Sequence, residues 1–355
     1  GMFDFGATST RWLTVAAGTG IYASSNMGVN FMAVSTSRSQ TYQRFERSNN
    51  VLIACSDAYD VPLYWAGSAG TYMATLAPNS APACKMAINY QGFLILLNSQ
   101  GSGGSVTGKR SFHFAVDTNQ LTDPWNNYFQ FSSSEDDEIT NAFVVNRVLH
   151  VSTRYKLFKV SYVGGNPYWT YITMKEWGFL PRTVKRVFLN DREWVVGMDW
   201  NHRLRAFDGF NEMIISNNIE SNNDLSEFAL SKLPFTGSSQ IISNAEFDVT
   251  EQEYRLNVAL GENSQNTTNA IIFNVRTQAF YPYANQPYQA MCMAESNNRQ
   301  YLMACDRSGF VHMLNTGNTD NATPINDYYT SPFMFNKVPG MVSKGGKLDL
   351  FFKPS

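Results

Sequence analysis

The chain has 355 residues, 43% of them hydrophobic and 14% aromatic, which is more than one ordinary core needs and enough for a large repetitive one. Its formal net charge of -2, with lysines and arginines scattered, supplies no basic stripe, so nucleic-acid binding is not expected. No run of about 18 apolar residues offers a membrane span and no basic, apolar leader opens the sequence, so neither a membrane partner nor a secretory signal is expected.

Gly1 before Met2 reads as a tag remnant, and residues 1–9 as an N-terminal arm outside the fold. From residue 10 onward one unit keeps returning: an apolar run ending in small residues, a polar turn, then a second run opening on a large apolar residue. It occurs at 12–17 and 21–22, at 51–55 and 63–65, at 148–152 and 157–160, at 194–198 and 204–207, and at 301–305 and 310–313. Short alternating runs bounded by Gly, Asn, Asp and Pro are strand signals, and each pair reads as an antiparallel hairpin. The offset from Leu157 to Leu204 falls at about the 40–50 residues of a four-stranded propeller blade. The expected fold is therefore all-β: a β-propeller of about seven four-stranded antiparallel blades, with six as the alternative count. The provisional blades are 10–48, 50–80, 85–131, 139–175, 183–216, 240–283 and 289–331, so the propeller covers 10–335. The stretch 216–239 reads as an inserted loop, with 224–233 its one helix candidate. The final segment, 336–355, is read as a strand that closes the ring or leads into a missing region.

Charged residues make up 16% of the chain against about 25% usually, and Asn, Ser and Thr take their place. The four histidines, His113, His150, His202 and His312, do not converge in the repeat. The cysteines, Cys55, Cys84, Cys292 and Cys305, lack metal-ligand spacing and read as buried thiols, with a Cys292–Cys305 disulfide across one hairpin as the minority alternative. No nucleophile elbow, zinc-protease motif or phosphate loop occurs. The acidic residues at 135–138 lack the alternation of a calcium loop and read as a solvated connection between blades. Neither a catalytic residue nor a cofactor or metal site is expected. Trp125, Tyr128, Trp169, Tyr171 and Trp177 read first as packing between blades. All five are also candidates for sugar-stacking platforms, with Trp169, Tyr171 and Trp177 singled out.

One stretch adds a resemblance. Asp123-Pro124-Trp125-Asn126-Asn127-Tyr128-Phe129, Ile139-Thr140-Asn141-Ala142, Leu180-Pro181-Arg182-Thr183-Val184 and Phe207-Asp208-Gly209 resemble segments of β-propeller structural proteins of tailed bacteriophages, of the tail-accessory, head–tail connector or nozzle type. The resemblance is a loose pattern over roughly 10–350. It implies a non-enzymatic virion component assembled in the bacterial host cytoplasm, with other virion proteins as partners. It also implies that Trp125, Arg182, Asp208 and Gly209 are structural positions. A carbohydrate-binding propeller that recognises a host-surface glycan is the alternative function. A propeller hydrolase or lyase with an axial pocket is the second alternative.

Overall fold

Seven antiparallel sheets follow one another along the chain in a computed structural model, which describes residues 1–6, 10–39, 42–76, 81–99, 106–116, 125, 127–134, 136–165, 168–189, 192–220, 230, 243–258, 269–284, 286–315, 319–320 and 323–324. Blade one holds β1 (Met2–Gly6), β2 (Arg11–Ala17), β3 (Gly20–Ser24) and β4 (Met32–Ser35). Blade two holds β5 (Gln43–Ser48), β6 (Val51–Ser56), β7 (Leu63–Trp65) and β8 (Ala74–Thr75). Blade three holds β9 (Cys84–Tyr90), β10 (Phe93–Ser99), β11 (Ser111–Val116) and β12 (Tyr128–Gln130). Blade four holds β13 (Ile139–Val145), β14 (Val148–Thr153), β15 (Leu157–Tyr162) and β16 (Trp169–Lys175). Blade five holds β17 (Lys185–Leu189), β18 (Arg192–Met198), β19 (Leu204–Phe207) and β20 (Glu212–Ile214). Blade six holds β21 (Asn244–Asp248), β22 (Glu253–Val258), β23 (Asn269–Asn274) and β24 (Ala279–Ala284). Blade seven shows β25 (Tyr288–Ser296), β26 (Arg299–Asp306) and β27 (Val311–Met313). Each strand pairs with its neighbour in sequence, so every blade is a meander. The helical pieces among the described residues are a 3-10 turn, Val106–Arg110, and α1 (Asn217–Glu220).

The cores lie between blades rather than within them, which is why the strands carry apolar residues on both faces. Phe5, Trp12, Ile21, Leu52, Ala54 and Trp65 pack blade one on blade two. Ile95, Phe112, Phe131, Leu149, Phe158 and Trp169 join blades three and four. Val145, Leu157, Phe179, Val195 and Phe207 join four and five, and Val196, Leu204, Tyr254, Leu256 and Ile271 join five and six. Met2, Leu13, Val15, Cys292 and Cys305 join blade one to blade seven and so close the ring. At that seam Arg11 reaches both Asp4 (2.6 Å) and Glu295 (2.8 Å).

In blades two, four, five and seven the end of the second strand has one job. Its last residue, or the one just after it, turns a side-chain oxygen onto the backbone of the following turn. Ser56 Oγ accepts from Ala58 N at 3.1 Å, Thr153 Oγ1 from Lys156 N at 3.0 Å, Asp199 Oδ1 from Asn201 N at 2.8 Å and Asp306 Oδ1 from Phe310 N at 3.0 Å. The small or short polar residues that end these runs are there because they cap turns.

Two sequence expectations are corrected, and the reading of the cysteines as buried thiols is borne out. Residues 2–6, read as an arm, form the inner strand of blade one, with Phe5 fully buried. The strand at 43–48, read as the end of blade one, is the inner strand of blade two, so both blades have four strands. Cys292 and Cys305 are free: Cys292 pairs with Met303 and Cys305 with Ala290, which leaves the two cysteines diagonal across the hairpin. Gly1–Leu314 forms one compact unit. Asn315–Ser355 is a second, in which the described strands are β28 (Thr319–Asp320) and β29 (Thr323–Pro324). The strand expected within 336–355 lies outside the described residues, as do most of the loop at 216–239 and of the helix candidate at 224–233.

Candidate functional site

Because all seven blades run the same way round the ring, the residues that open their inner strands meet at one end of the axis. Arg44 on β5 pairs with Asp57 at 3.2 Å and donates to the Thr140 carbonyl of blade four at 3.1 Å. The Tyr42 hydroxyl donates to Gln289 Oε1 of blade seven at 3.1 Å. Asn244 of blade six donates to the Gln289 carbonyl at 3.0 Å. Arg182, just before blade five, accepts Ala245 N on its carbonyl, and its own N–H reaches Asn141 Oδ1 at 3.2 Å. Blades two, four, five, six and seven therefore share one polar cluster.

Arg182 is its centre. Its backbone takes a left-handed φ of 63°, which costs energy in a non-glycine residue. That conformation sends the side chain inward, where the guanidinium lies face-on 3.5 Å from the centroid of the Tyr42 ring. None of its three side-chain nitrogens meets the geometry of a hydrogen bond. Burial lowers the guanidinium's proton affinity, opposed first by the Asp57 carboxylate. Burial likewise raises the Tyr42 hydroxyl. An arginine on an aromatic face is a cation–π plug across the axis.

Glu46 lies two residues beyond Arg44 on the same face of β5. Burial pushes its carboxyl up to about 8, with the backbone N–H of Asn89 pulling the other way. A carboxyl raised above its unfolded value stabilises the fold fully below the unfolded value of 4.5 and loses that contribution as pH rises to about 8. Glu46→Gln is therefore expected to leave stability at pH 4 nearly unchanged and to raise it by about 2 kcal/mol at pH 9. Urea unfolding at the two pH values measures this; an equal effect at both would contradict it.

The other singled-out residues are dispersed. Trp125 is buried between blades two and three. Asp208 caps the turn through Phe210 N (2.9 Å) and Asn211 N (2.7 Å), and Gly209 takes φ 100° there, a conformation that glycine adopts freely. Trp169 is 1% exposed with Phe93, Phe112, Phe114 and Tyr162 around it. Its ring therefore has no free face for a sugar, which corrects its place among the stacking candidates. Tyr171 packs edge-on against Phe129, Phe131 and Phe158, and its hydroxyl accepts Ser132 N. Trp177 is sandwiched by Phe179 and Arg205 and donates to Glu212 at 2.7 Å. The three aromatics thus sit in packing and make no shared platform.

Each histidine has local surroundings of its own. His150 is buried between Phe143 and Phe207, and burial holds it down at about 4. His312 meets Asp306 at 3.0 Å and His113 meets Ser99 at 2.9 Å. Among the described residues no group of three His, Cys, Asp or Glu is placed to hold a metal ion, and no helix is long and apolar enough to cross a membrane. A pocket of about 250 Å³ opens at the seam of blades one and seven, lined by Asp4, Arg11, Glu295, Asn297 and Asn298. Its charges are already joined through Arg11.

Among the described residues, the end holding the axial cluster exposes the large apolar groups Val61, Tyr155 and Phe310. The opposite end, made by the turns between first and second and between third and fourth strands, exposes Val29, Tyr72, Tyr128, Val163, Tyr168, Phe188 and Phe210. The sequence reading singled out Arg182 but missed Tyr42, Arg44 and Asp57. Their one shared signal is position: each lies at the start of an inner strand or in the turn beside it.

No protein-family model matches the chain, and no curated protein matches it by sequence. Among the solved structures to which the chain is similar are three β-propeller proteins. The first is BBS1N in complex with ARL6DN (TM-score 0.48, 12% identity, 86% of each chain covered). BamB from Moraxella catarrhalis gives 0.47 at 12% identity, over 88% of this chain and 93% of that one. AztD from Citrobacter koseri gives 0.45 at 8% identity, over 86% and 82%.

Proposed function

We propose that the chain is a non-enzymatic structural component of a phage virion, at the tail or the head–tail junction, that works by protein–protein contact through one end of its ring. The observation that carries the reading is the set of large apolar side chains exposed on the described turns of one end. Large apolar side chains at Val29, Tyr72, Tyr128, Tyr168 and Phe210 are 77%, 68%, 66%, 46% and 64% exposed, and they come from five successive blades. An apolar surface drawn from many blades marks a contact face. Aromatic side chains are the usual anchors of such faces. The low charge of the chain suits a face that neighbouring subunits cover. Two residues of the phage-like pattern bind blades four and five together: Phe207 packs with Val145 and Phe179 in one core, and the Asp208 carbonyl accepts Asn146 Nδ2 at 2.7 Å.

Mass spectrometry of purified particles tests the reading. The protein is expected at stoichiometric abundance; its absence would sink the proposal. Phe210→Asp probes the face directly. At an exposed turn position the substitution is expected to change folding stability by no more than about 0.5 kcal/mol. Incorporation into particles is expected to fall at least tenfold, and normal incorporation would move the contact elsewhere.

A further inference from the structure

We infer that Cys55 and Cys84 form an oxidisable thiol pair that closes into a disulfide between blades two and three. Cys55 lies near the end of β6 and Cys84 opens β9. Their sulfurs are 3.5 Å apart across the blade boundary, 29 residues apart in sequence. Both are enclosed, 1% and 0% exposed, in the core of Ile53, Leu94, Leu96 and Trp125. A disulfide needs about 2.05 Å between sulfurs, so closure asks for a shift of roughly 1.5 Å shared by two side chains.

A second observation makes the pair more than two packed thiols. The charge of Arg38 reaches both thiols; its side chain is 4% exposed and is paired with Asp60 at 3.7 Å. Its Nε donates to Gln43 and its Nη1 to the Val61 carbonyl, while Nη2 has no hydrogen-bond partner. Burial pushes the Cys84 thiol up, the facing Cys55 adds to that, and the charge of Arg38 opposes both, which lessens the cost of the thiolate, the form that reacts.

A peroxide is small enough to serve as oxidant in an enclosed site. One thiolate attacks a peroxide oxygen, the O–O bond breaks, and a sulfenic acid and hydroxide form; the hydroxide takes the released thiol proton and becomes water. The second thiol attacks the sulfenic sulfur and expels the hydroxyl as a second water. In total the two thiols lose two electrons and two protons to hydrogen peroxide, giving one disulfide and two waters. The product staples two blades that are otherwise held by packing and by hydrogen bonds such as Tyr59 Oη to Asn98 Oδ1 at 2.6 Å. Cys292 and Cys305 provide an internal control, being buried in the same chain but diagonal across their hairpin rather than thiol to thiol.

The test treats the folded chain with hydrogen peroxide, quenches, alkylates in denaturant and maps peptides by mass spectrometry. The expected product is a cross-linked peptide containing Cys55 and Cys84, with Cys292 and Cys305 alkylated. The double variant Cys292→Ser/Cys305→Ser is expected to retain the cross-link, and Cys84→Ser to lose it. Closing a loop of this length is expected to raise the folded-to-unfolded ratio roughly a hundred-fold or more, lost again on adding reductant. Full alkylation of both cysteines after oxidation would overturn the inference. So would separate sulfinic acids on each, or a cross-link that forms only in denaturant.

Discussion

Replacing Asp199 by alanine is expected to lower the stability of the ring by about 3–5 kcal/mol, the cost of stranding a buried charge. The Asp199 side chain is wholly enclosed, and Oδ2 lies 2.6 Å from Arg205 Nε, whose own side chain is 8% exposed. Oδ1 meanwhile accepts Asn201 N at 2.8 Å and Arg203 N at 2.9 Å. One carboxylate thus neutralises an arginine on the third strand and caps the turn that leads to it. Alanine removes both roles at once. Arg205 keeps Glu212 at 3.6 Å and the Trp177 ring at 4.5 Å, neither as close. Asp199→Asn keeps an oxygen for the turn and loses the charge, so its expected cost is smaller, about 1–3 kcal/mol. Urea midpoints followed by circular dichroism separate the two variants. Equal, small losses for both would mean that the pair contributes little.

Trp169→Ala is expected to cost about 3–5 kcal/mol, since it empties the largest side chain in the core of blades three and four. The ring stands 5.1–5.6 Å from Tyr162, Phe93, Phe112 and Phe114. Its Nε1 is buried without a hydrogen-bond partner. Trp169→Phe removes that unsatisfied donor along with part of the ring, so it is expected to cost about 1 kcal/mol or less. The effect belongs to packing. The alanine variant, measured below its unfolding transition, is expected to bind sugars no differently from the parent. A glycan array that lost signal with an intact fold would give Trp169 the stacking role that its burial denies.

The hairpin repeat was legible because the second and third strands face neighbouring blades on both sides. Runs such as those at 148–152 and 157–160 are apolar almost throughout, and the limits expected from them, 139–175 and 240–283, lie close to β13–β16 and β21–β24. The inner strands were harder to see. Gln43–Ser48 contains Arg44, Glu46 and Arg47, and Arg44 is there to reach the axis. A strand with that duty carries no apolar run, so the sequence assigned it to the wrong blade. The axial cluster was hidden for a related reason. Tyr42, Asp57 and Arg182 are brought together only by closure of a ring, and no local spacing records closure. The Cys55–Cys84 contact is equally non-local, whereas Cys292 and Cys305 drew notice through sharing a hairpin whose register keeps them diagonal.

The most direct test of the account is electron cryomicroscopy of the intact particle. The account predicts a seven-bladed ring whose end bearing Tyr72, Tyr128, Tyr168 and Phe210 is buried against a neighbouring subunit, with the Arg182–Tyr42 end turned away from that contact. A particle in which those aromatics face solvent while the axial end makes the contact would contradict it.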